Sequence, residues 1–544
     1  MRRSLVSIFG FGILLAASAF PAERTGAVYV PLDSWVYVAF DRLAALDGVD
    51  GQFLGLRPWT RLECAKLTRE AEKKAQRAEV KSLEIEGIIN ALKQEFSGEM
   101  AVPQRDPGTQ VRIASVYSRA MGISGKPLRD SFYFGQTIAN DFGRPFNTGF
   151  NNVTGFSARA DRGRFFAFVR GEYQHSPAYE GLTPAQNAFI QLDAGTPAAP
   201  NSYATPTLNQ LELLDTYVGV RLSVFEITGG KQSLWWSPGT MGGMLYSNNM
   251  DPVPMVSVNQ VQPIVLPWLG FVRIEAFFGR LENYHYPRGP YIHGEKIMVK
   301  PSPNLEIGLS RTTLAFGQGI PITFRNLFST YFSTTDICCV ANPQGYPGKR
   351  FGGLDFAYRL PYLRKWATVY SDNITSDDVN PVVNPSRASY NPGLYFSQLP
   401  FLSMLDLRFE VANTRTIGGP YSSFFYHEGY TNKGFLMGNT VGRHGSAFDL
   451  STTYWFSPRE RIQVGWRKET VSKSLLPAGG SQESLRAKAG WFVQEHLEFS
   501  ALVQHERWVF PFLAPSPQTD NVLSLQLTAY PPQHWLRTAL RTED

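Results

Sequence analysis

Cysteine is nearly absent: Cys64, Cys338 and Cys339 are the three in 544 residues. That is too few for a disulfide framework to hold a chain of this length. Histidine is scarce as well, and its eight copies fall in no H-x-x-x-H or H-E-x-x-H pattern, nor near paired cysteines, so no metal site and no cofactor is expected. Charge of one sign is missing, with 52 basic against 46 acidic residues spread along the chain, which excludes a nucleic-acid stripe. Beyond the first twenty residues no stretch approaches the roughly eighteen unbroken apolar residues of a membrane helix. No Pro-rich or Gly/Ser-rich linker divides the chain after residue 110, so its length does not resolve into several soluble domains.

What is present is export and alternation. Met1-Arg2-Arg3 opens a basic region, LVSIFGFGILLAASAF follows as an apolar core, and Ala17-Ser18-Ala19 is a small-residue cleavage motif, so residues 1–19 read as a signal peptide. In LRAKAGWFVQEHLEFSALVQHER (485–507), Leu485, Ala487, Ala489, Trp491 and Val493 take turns with Arg486, Lys488, Gly490 and Gln494. Side chains on a strand point alternately to opposite faces, so this is a hairpin with one apolar and one polar side, and Phe492 is its one exception. Leu405, Leu407, Phe409 and Val411 repeat the pattern against Asp406, Arg408 and Glu410, as do Val272, Ile274, Ala276 and Phe278 against Arg273 and Glu275. Strands with ions on one face cannot all press that face into a dry core. An exported chain of such strands with no membrane helix fits a closed transmembrane β-barrel, whose backbone amides all pair with neighbouring strands.

Connection lengths support this reading. Short links at 161–163, 223–226, 301–304, 361–365, 457–460 and 494–496 alternate with long ones near 121–150, 175–212, 233–251, 316–350, 374–390, 414–445, 469–483 and 509–520. They delimit an all-β barrel of about eighteen antiparallel strands over 110–530, followed by a tail at 531–544. The spans 252–262 and 391–399 are its weakest strands. Residues 28–98 differ: Asp33-Ser34 caps one helix, Thr60-Arg61-Leu62-Glu63 is a capping box for a second, and Leu83, Gly87, Ile88, Ala91, Leu92 and Phe96 space a third. A helical unit this small needs a surface to pack on, and its place before the first strand puts it at the periplasmic mouth. If it seals that mouth, its removal should raise conductance.

The segments VYVPLDSWVYVAFDRLAALDGV, GLRPWTRLECAKL, NDFGRPFNTGFNN, GGKQSLWWSPGTMGGMLYSNNMDPVPM and YTNKGFLMGN, in that order, resemble the capsule-assembly Wzi family. The resemblance implies an outer-membrane barrel with a periplasmic helical bundle against its lower opening. It implies lectin-like attachment of capsular or extracellular polysaccharide to the cell surface, without catalysis. The C-terminus departs from such barrels, which usually end on an aromatic residue; here PPQHWLRTALRTED follows Tyr530, so Tyr530 or Trp535 would serve as the assembly signal.

The family supplies no catalytic motif, so candidate site residues come from chemistry. A sugar ring has an apolar C–H face and a rim of hydroxyls, which suits exposed aromatic rings beside polar partners. Three loop clusters qualify: Trp235 and Trp236; Tyr284, Tyr286, Arg288 and Tyr291; and Tyr421, Phe424, Phe425, Tyr426 and His427. Arg325 belongs to a scatter of loop cations, with Lys126, Arg129, Arg144, Arg288, Lys349, Arg350 and Arg443, suited to an acidic polymer or to lipopolysaccharide. Cys64 reads as a buried small hydrophobe, while Cys338 and Cys339 allow an adjacent-pair disulfide, a reactive thiol or neither. Two rival functions share the wall: a diffusion channel for sugars or small solutes, and an outer-membrane lipid hydrolase using His175 or His505.

Overall fold

The computed structural model describes residues 25–79, 81–101, 110–195, 202–332, 346–376, 381, 385–416 and 419–531. The leader, Cys338, Cys339 and the tail beyond residue 531 lie outside them. The wall is one antiparallel sheet of twenty ladder segments. Leu208–Leu213 and Thr216–Leu222 both pair with Phe165–Ser176, and Pro254–Gln260 and Ile264–Leu266 both pair with Gly270–Arg280, so each couple is one interrupted strand and the wall has eighteen. The first strand, Gln110–Gly125, pairs with the last, Gln518–Ala529, which closes the ring. The weak spans form strands at Pro254–Gln260 and Ser389–Phe396. Connections alternate short and long all round, which defines a short-turn rim and a long-loop rim.

Alternation places the side chains as the pattern predicts. Leu485, Val493 and Val503 face outward and are exposed, while Arg486 faces the lumen beside Asp449. Trp268, Tyr362 and Phe401, almost wholly exposed at short turns, are placed for an aromatic belt. Phe492 breaks the alternation because it turns inward onto Trp35, with ring centroids 6.3 Å apart, and beneath the Arg459 guanidinium.

The helical unit comprises α1 (Trp35–Ala45), α2 (Arg61–Arg77), α3 (Leu83–Glu95) and a last turn, α4 (Ser97–Met100). Its caps are those in the sequence: Ser34 accepts from the Val36 amide, and Thr60 and Glu63 form a reciprocal capping box. Leu83 is an exception to the expected apolar face, being exposed. Cys64 is fully buried in the core of the unit with Phe40, Trp59 and Leu92.

The unit seats inside the short-turn rim through charge. The Arg359 guanidinium donates to the Ala44 carbonyl at 2.9 Å, Arg42 to Ser403 O at 2.8 Å, and Lys300 to Gln52 O at 2.7 Å. Arg364 pairs with Asp47 at 2.9 Å, Arg159 with Glu99 at 2.8 Å, and Arg273 with Glu63. The segment between α1 and α2 climbs further, where the Leu54 and Gly55 amides donate to Glu306. The lumen is thus lined with paired ions, which answers how so many charged strand faces are tolerated.

Candidate binding surface at the long-loop rim

Long connections fold inward and plug the lumen from the other end: 232–253, 126–148 and the stretch 419–444. Residues 232–253 descend until the Arg57 and Trp235 backbones exchange hydrogen bonds at 3.0 and 2.9 Å, so the two plugs meet. Inward carboxylates of the wall hold this loop. Trp236 Nε1 donates to Glu275 at 2.7 Å, the Met244 amide to Asp372 at 2.7 Å, and the Thr240 amide to Glu410 at 2.7 Å. Residues 126–148 form a second layer: Gln504 Nε2 donates to Thr137 O at 3.0 Å, Thr137 Oγ1 donates to Glu506 at 2.6 Å, and Arg144 Nε donates to Glu172 at 2.9 Å. Between α1, the wall and this second layer remains a cavity of about 1490 Å³, reaching from Glu495 and His496 at the short-turn rim to Gln136 and Asn140.

The expected sugar-binding residues divide sharply. Trp235, Trp236, Tyr284, Tyr421 and Tyr426 are buried and offer no ring face to a polymer. Trp235 and Trp236 do open a long connection, as the sequence suggests, but that connection folds inward and carries both rings into the lumen. Tyr284 Oη donates to Gly429 O at 3.0 Å, Tyr421 Oη to Met244 O at 2.7 Å, and Tyr426 Oη to Phe316 O at 3.3 Å, so these three tie the loops together. Burial pushes the Tyr284 phenol well above its ordinary range.

The second and third clusters are nonetheless one surface. The His427 amide donates to Tyr286 O at 2.9 Å, and the His285 amide to Glu428 at 2.8 Å. On it Tyr286 is 36 % exposed, Phe424 82 % and the His285 side chain 49 %, with Arg288 exposed beside them. Phe425 and His427 are half-buried; the Phe425 ring lies tilted against Tyr346, centroids 5.2 Å apart, and His427 Nδ1 meets Ala194 O at 2.7 Å. Tyr346 and α5 (Pro184–Ala194), which carry no pattern beyond the Thr183/Gln186 capping box, were missed by sequence reasoning. Tyr291 sits apart on the outer wall between Phe278 and Phe316, and Arg325 lies on α6 (Phe324–Phe332).

Of the other loop cations, Arg144 is consumed by Glu172 and Asp141, and Arg443 pairs with Asp193 at 2.7 Å while lying over the Phe132 and Tyr133 rings. His175 and His505 face outward, each Nδ1 against an asparagine oxygen, Asn209 at 2.8 Å and Asn521 at 2.7 Å. Among the described residues no group of three His, Cys, Asp or Glu is arranged to hold a metal ion.

Asp130 orders the tip of the second layer by accepting from the Phe132 amide at 2.8 Å. Burial pushes its carboxyl up to about 6, against the amides of Phe132 and Tyr133 and the charge of Arg443, which pull it down. A carboxyl raised in the folded state favours folding while protonated, and that contribution is lost as pH rises through about 6. The temperature at which the compact band is lost on gels should therefore fall between about pH 4 and about pH 7 in the native protein. Asp130→Asn, which keeps the acceptor and removes the titration, should flatten that dependence.

A closed eighteen-strand wall with an aromatic rim and a lumen occupied by the helical unit and by inward loops defines an outer-membrane β-barrel of the plugged kind. The family model of the capsule assembly protein Wzi matches residues 118–523, and the chain belongs to that family. Its fold is similar to a solved structure from Escherichia coli, described as Wzi, an outer-membrane carbohydrate-binding β-barrel involved in group 1 capsule assembly. The TM-score is 0.66 at 14 % identity, covering 93 % of this chain and 99 % of that one. An uncharacterized 55.8 kDa protein from the cps region of Klebsiella pneumoniae is 23 % identical over 154 residues, which span 27 % of this chain and 30 % of that relative. Pseudomonas aeruginosa OprD aligns more loosely, with a TM-score of 0.43 at 10 % identity over 78 % of this chain and 97 % of its own.

Proposed function

We propose that this protein holds capsular or extracellular polysaccharide at the cell surface by non-catalytic contact, through the fused cluster of the long-loop rim. The short-turn rim and the helical unit face the periplasm in this reading, so the long loops meet the polymer. Family membership and the carbohydrate binding described for the Escherichia coli protein support it. The observation that carries it is the joining of two separate loops into one ridge, with exposed rings at Tyr286 and Phe424 beside Arg288 and His285. Rings offer flat apolar faces to C–H surfaces, and the guanidinium and imidazole offer donors to hydroxyls or carboxylates. The ridge is braced from below by Tyr284, Tyr421 and Tyr426, so its geometry costs little to organise on binding.

Replacing Tyr286, Arg288 and Phe424 together by Ala should weaken retention of purified capsular polysaccharide by about tenfold or more, equivalent to about 1.4 kcal/mol. The amount of folded barrel should not change, because the substituted side chains are exposed. Binding curves on reconstituted protein measure this. Unchanged affinity would assign the polymer to another part of the rim.

A further inference from the structure

The helix α6, whose sequence is FRNLFSTYF, belongs to the connection between strands Leu305–Ala315 and Lys349–Arg359, yet it does not join the plug. It lies on the outside of the wall. Ile292 and Lys296 face the lumen, where Lys296 pairs with the inward Asp355 at 2.6 Å, so His293 and Glu295 of the same strand face outward. His293 is nevertheless fully buried, because Tyr331 of α6 stacks on its ring at 4.2 Å and the Thr330 hydroxyl meets its Nε2 at 3.1 Å. Arg311, outward on the neighbouring strand, donates to the Thr330 and Tyr331 carbonyls at 2.7 and 2.9 Å and so caps the last turn of the helix. Leu327 completes this inner face by packing with Phe316 and Ile320.

The outer face of α6 is a ladder of rings. Phe324 and Phe328 stack at 6.4 Å, Phe328 and Phe332 at 4.3 Å, and the three are 84 %, 54 % and 45 % exposed. Ile322, just before the helix, is exposed too, and Arg325 stands exposed next to the first ring. Residues four apart share one side of a helix, so the ladder is a single apolar stripe turned away from the protein. Below it the outward face of the wall continues with Leu309 and Ile307, the band that faces lipid.

We infer that α6 is an interfacial anchor: its phenylalanine stripe lies in the acyl boundary of the outer leaflet, with Arg325 at the level of phosphate-bearing headgroups. Three observations select lipid over other occupants. The stripe is continuous with the lipid-facing band, its inner face covers the polar outward groups His293, Glu295 and Arg311, and a cation flanks the rings as in helices that lie flat in an interface. The inference goes beyond polysaccharide binding and stands without it.

A nitroxide placed by Phe328→Cys, in a Cys338→Ser/Cys339→Ser background, tests it in full-length protein reconstituted into phosphatidylglycerol-containing vesicles. Cys64 is fully buried and does not compete for the label. Collision with oxygen relative to a water-soluble nickel complex should be several-fold higher at 328 than at a Tyr203→Cys control, whose position is exposed in another long loop. Equal ratios at the two sites would place the stripe in water, and low collision with both agents would place it against protein, such as a second copy. Either result overturns the anchor. Heat-dependent gel migration identifies folded barrel in every sample, and a second label at Phe324→Cys repeats the measurement should Phe328→Cys fail to fold.

Discussion

Glu172→Ala should be the most damaging single substitution in the lumen, lowering stability by about 3–5 kcal/mol, the range found when one partner of a buried ion pair is removed. The side chain is fully buried, and Arg144 and Arg170, each about 5 % exposed, lie against it. Arg144 comes from the second plug layer and Arg170 grips Asp33 of the helical unit at 2.7 Å, so one carboxylate holds both plugs to the wall. Tyr117 and Gln174 also donate to it and would lose that acceptor, while Arg144 would be left with Asp141 alone and Arg170 with Asp33. Denaturant midpoints of the reconstituted barrel give the measurement. Glu172→Gln, which keeps a hydrogen-bonding oxygen and loses the charge, should fall between. A loss under about 1 kcal/mol in the alanine variant would mean that water from the neighbouring cavity, which Tyr117, Arg144 and Arg170 line, replaces the carboxylate.

Planar-bilayer recordings on the full-length protein are expected to show no resolvable steps. The structure changes the simple expectation that the helical unit alone is the seal. The cavity already reaches the short-turn rim, and its ceiling is made by Gln136 to Phe142, tied to the wall through Gln482, Gln504 and Glu506. Two barriers in series pass current only when the tighter one is removed. Replacing residues 128–146 by a short Gly/Ser linker should therefore produce open-channel steps, while deleting residues 28–98 alone should leave the protein nearly silent. Large steps from the native protein would favour the solute-channel reading. Large steps from the helical deletion alone would show that the ceiling does not seal.

The wall was legible because its signal is local. Alternation such as Leu405-Asp406-Leu407-Arg408 is set by which face meets lipid, and the capping box at Thr60 and Glu63 is completed within four residues. Where the inward loops go was not legible, since the bonds that pull them in join distant residues such as Met244 to Asp372 and Trp236 to Glu275. The same distance hid the site. A tryptophan pair in SLWWSPG has the composition of a sugar platform and of a plug alike, and only the carboxylates waiting on the inner wall decide between them. Tyr284 and Tyr286 show how fine the distinction is: two residues apart in one loop, one braces the cap and the other lies open on it. Phe492 carried information as an exception, for an apolar residue on a polar face had to meet an apolar partner, which proved to be Trp35.

The joining of the first strand to the last also constrains how the molecule is made. The helical unit grips the inner wall at points all round the ring, from Arg159 through Arg273 and Arg359 to Arg459. Once Val116–Gly125 has paired with Asp520–Ala529 the hoop has no side opening, so the helical unit can enter only along the axis, through the short-turn rim. The N-terminal helices precede every strand of the wall in the chain and are expected to stand in place while the sheet wraps, like a former inside a cask. The guanidinium groups they satisfy, those of Arg159, Arg273 and Arg359, would otherwise be left to water at the inner wall. A chain lacking its former is therefore expected to close its ring more slowly than the full-length chain, leaving strand edges open to quality control for longer before any question of what it binds can arise.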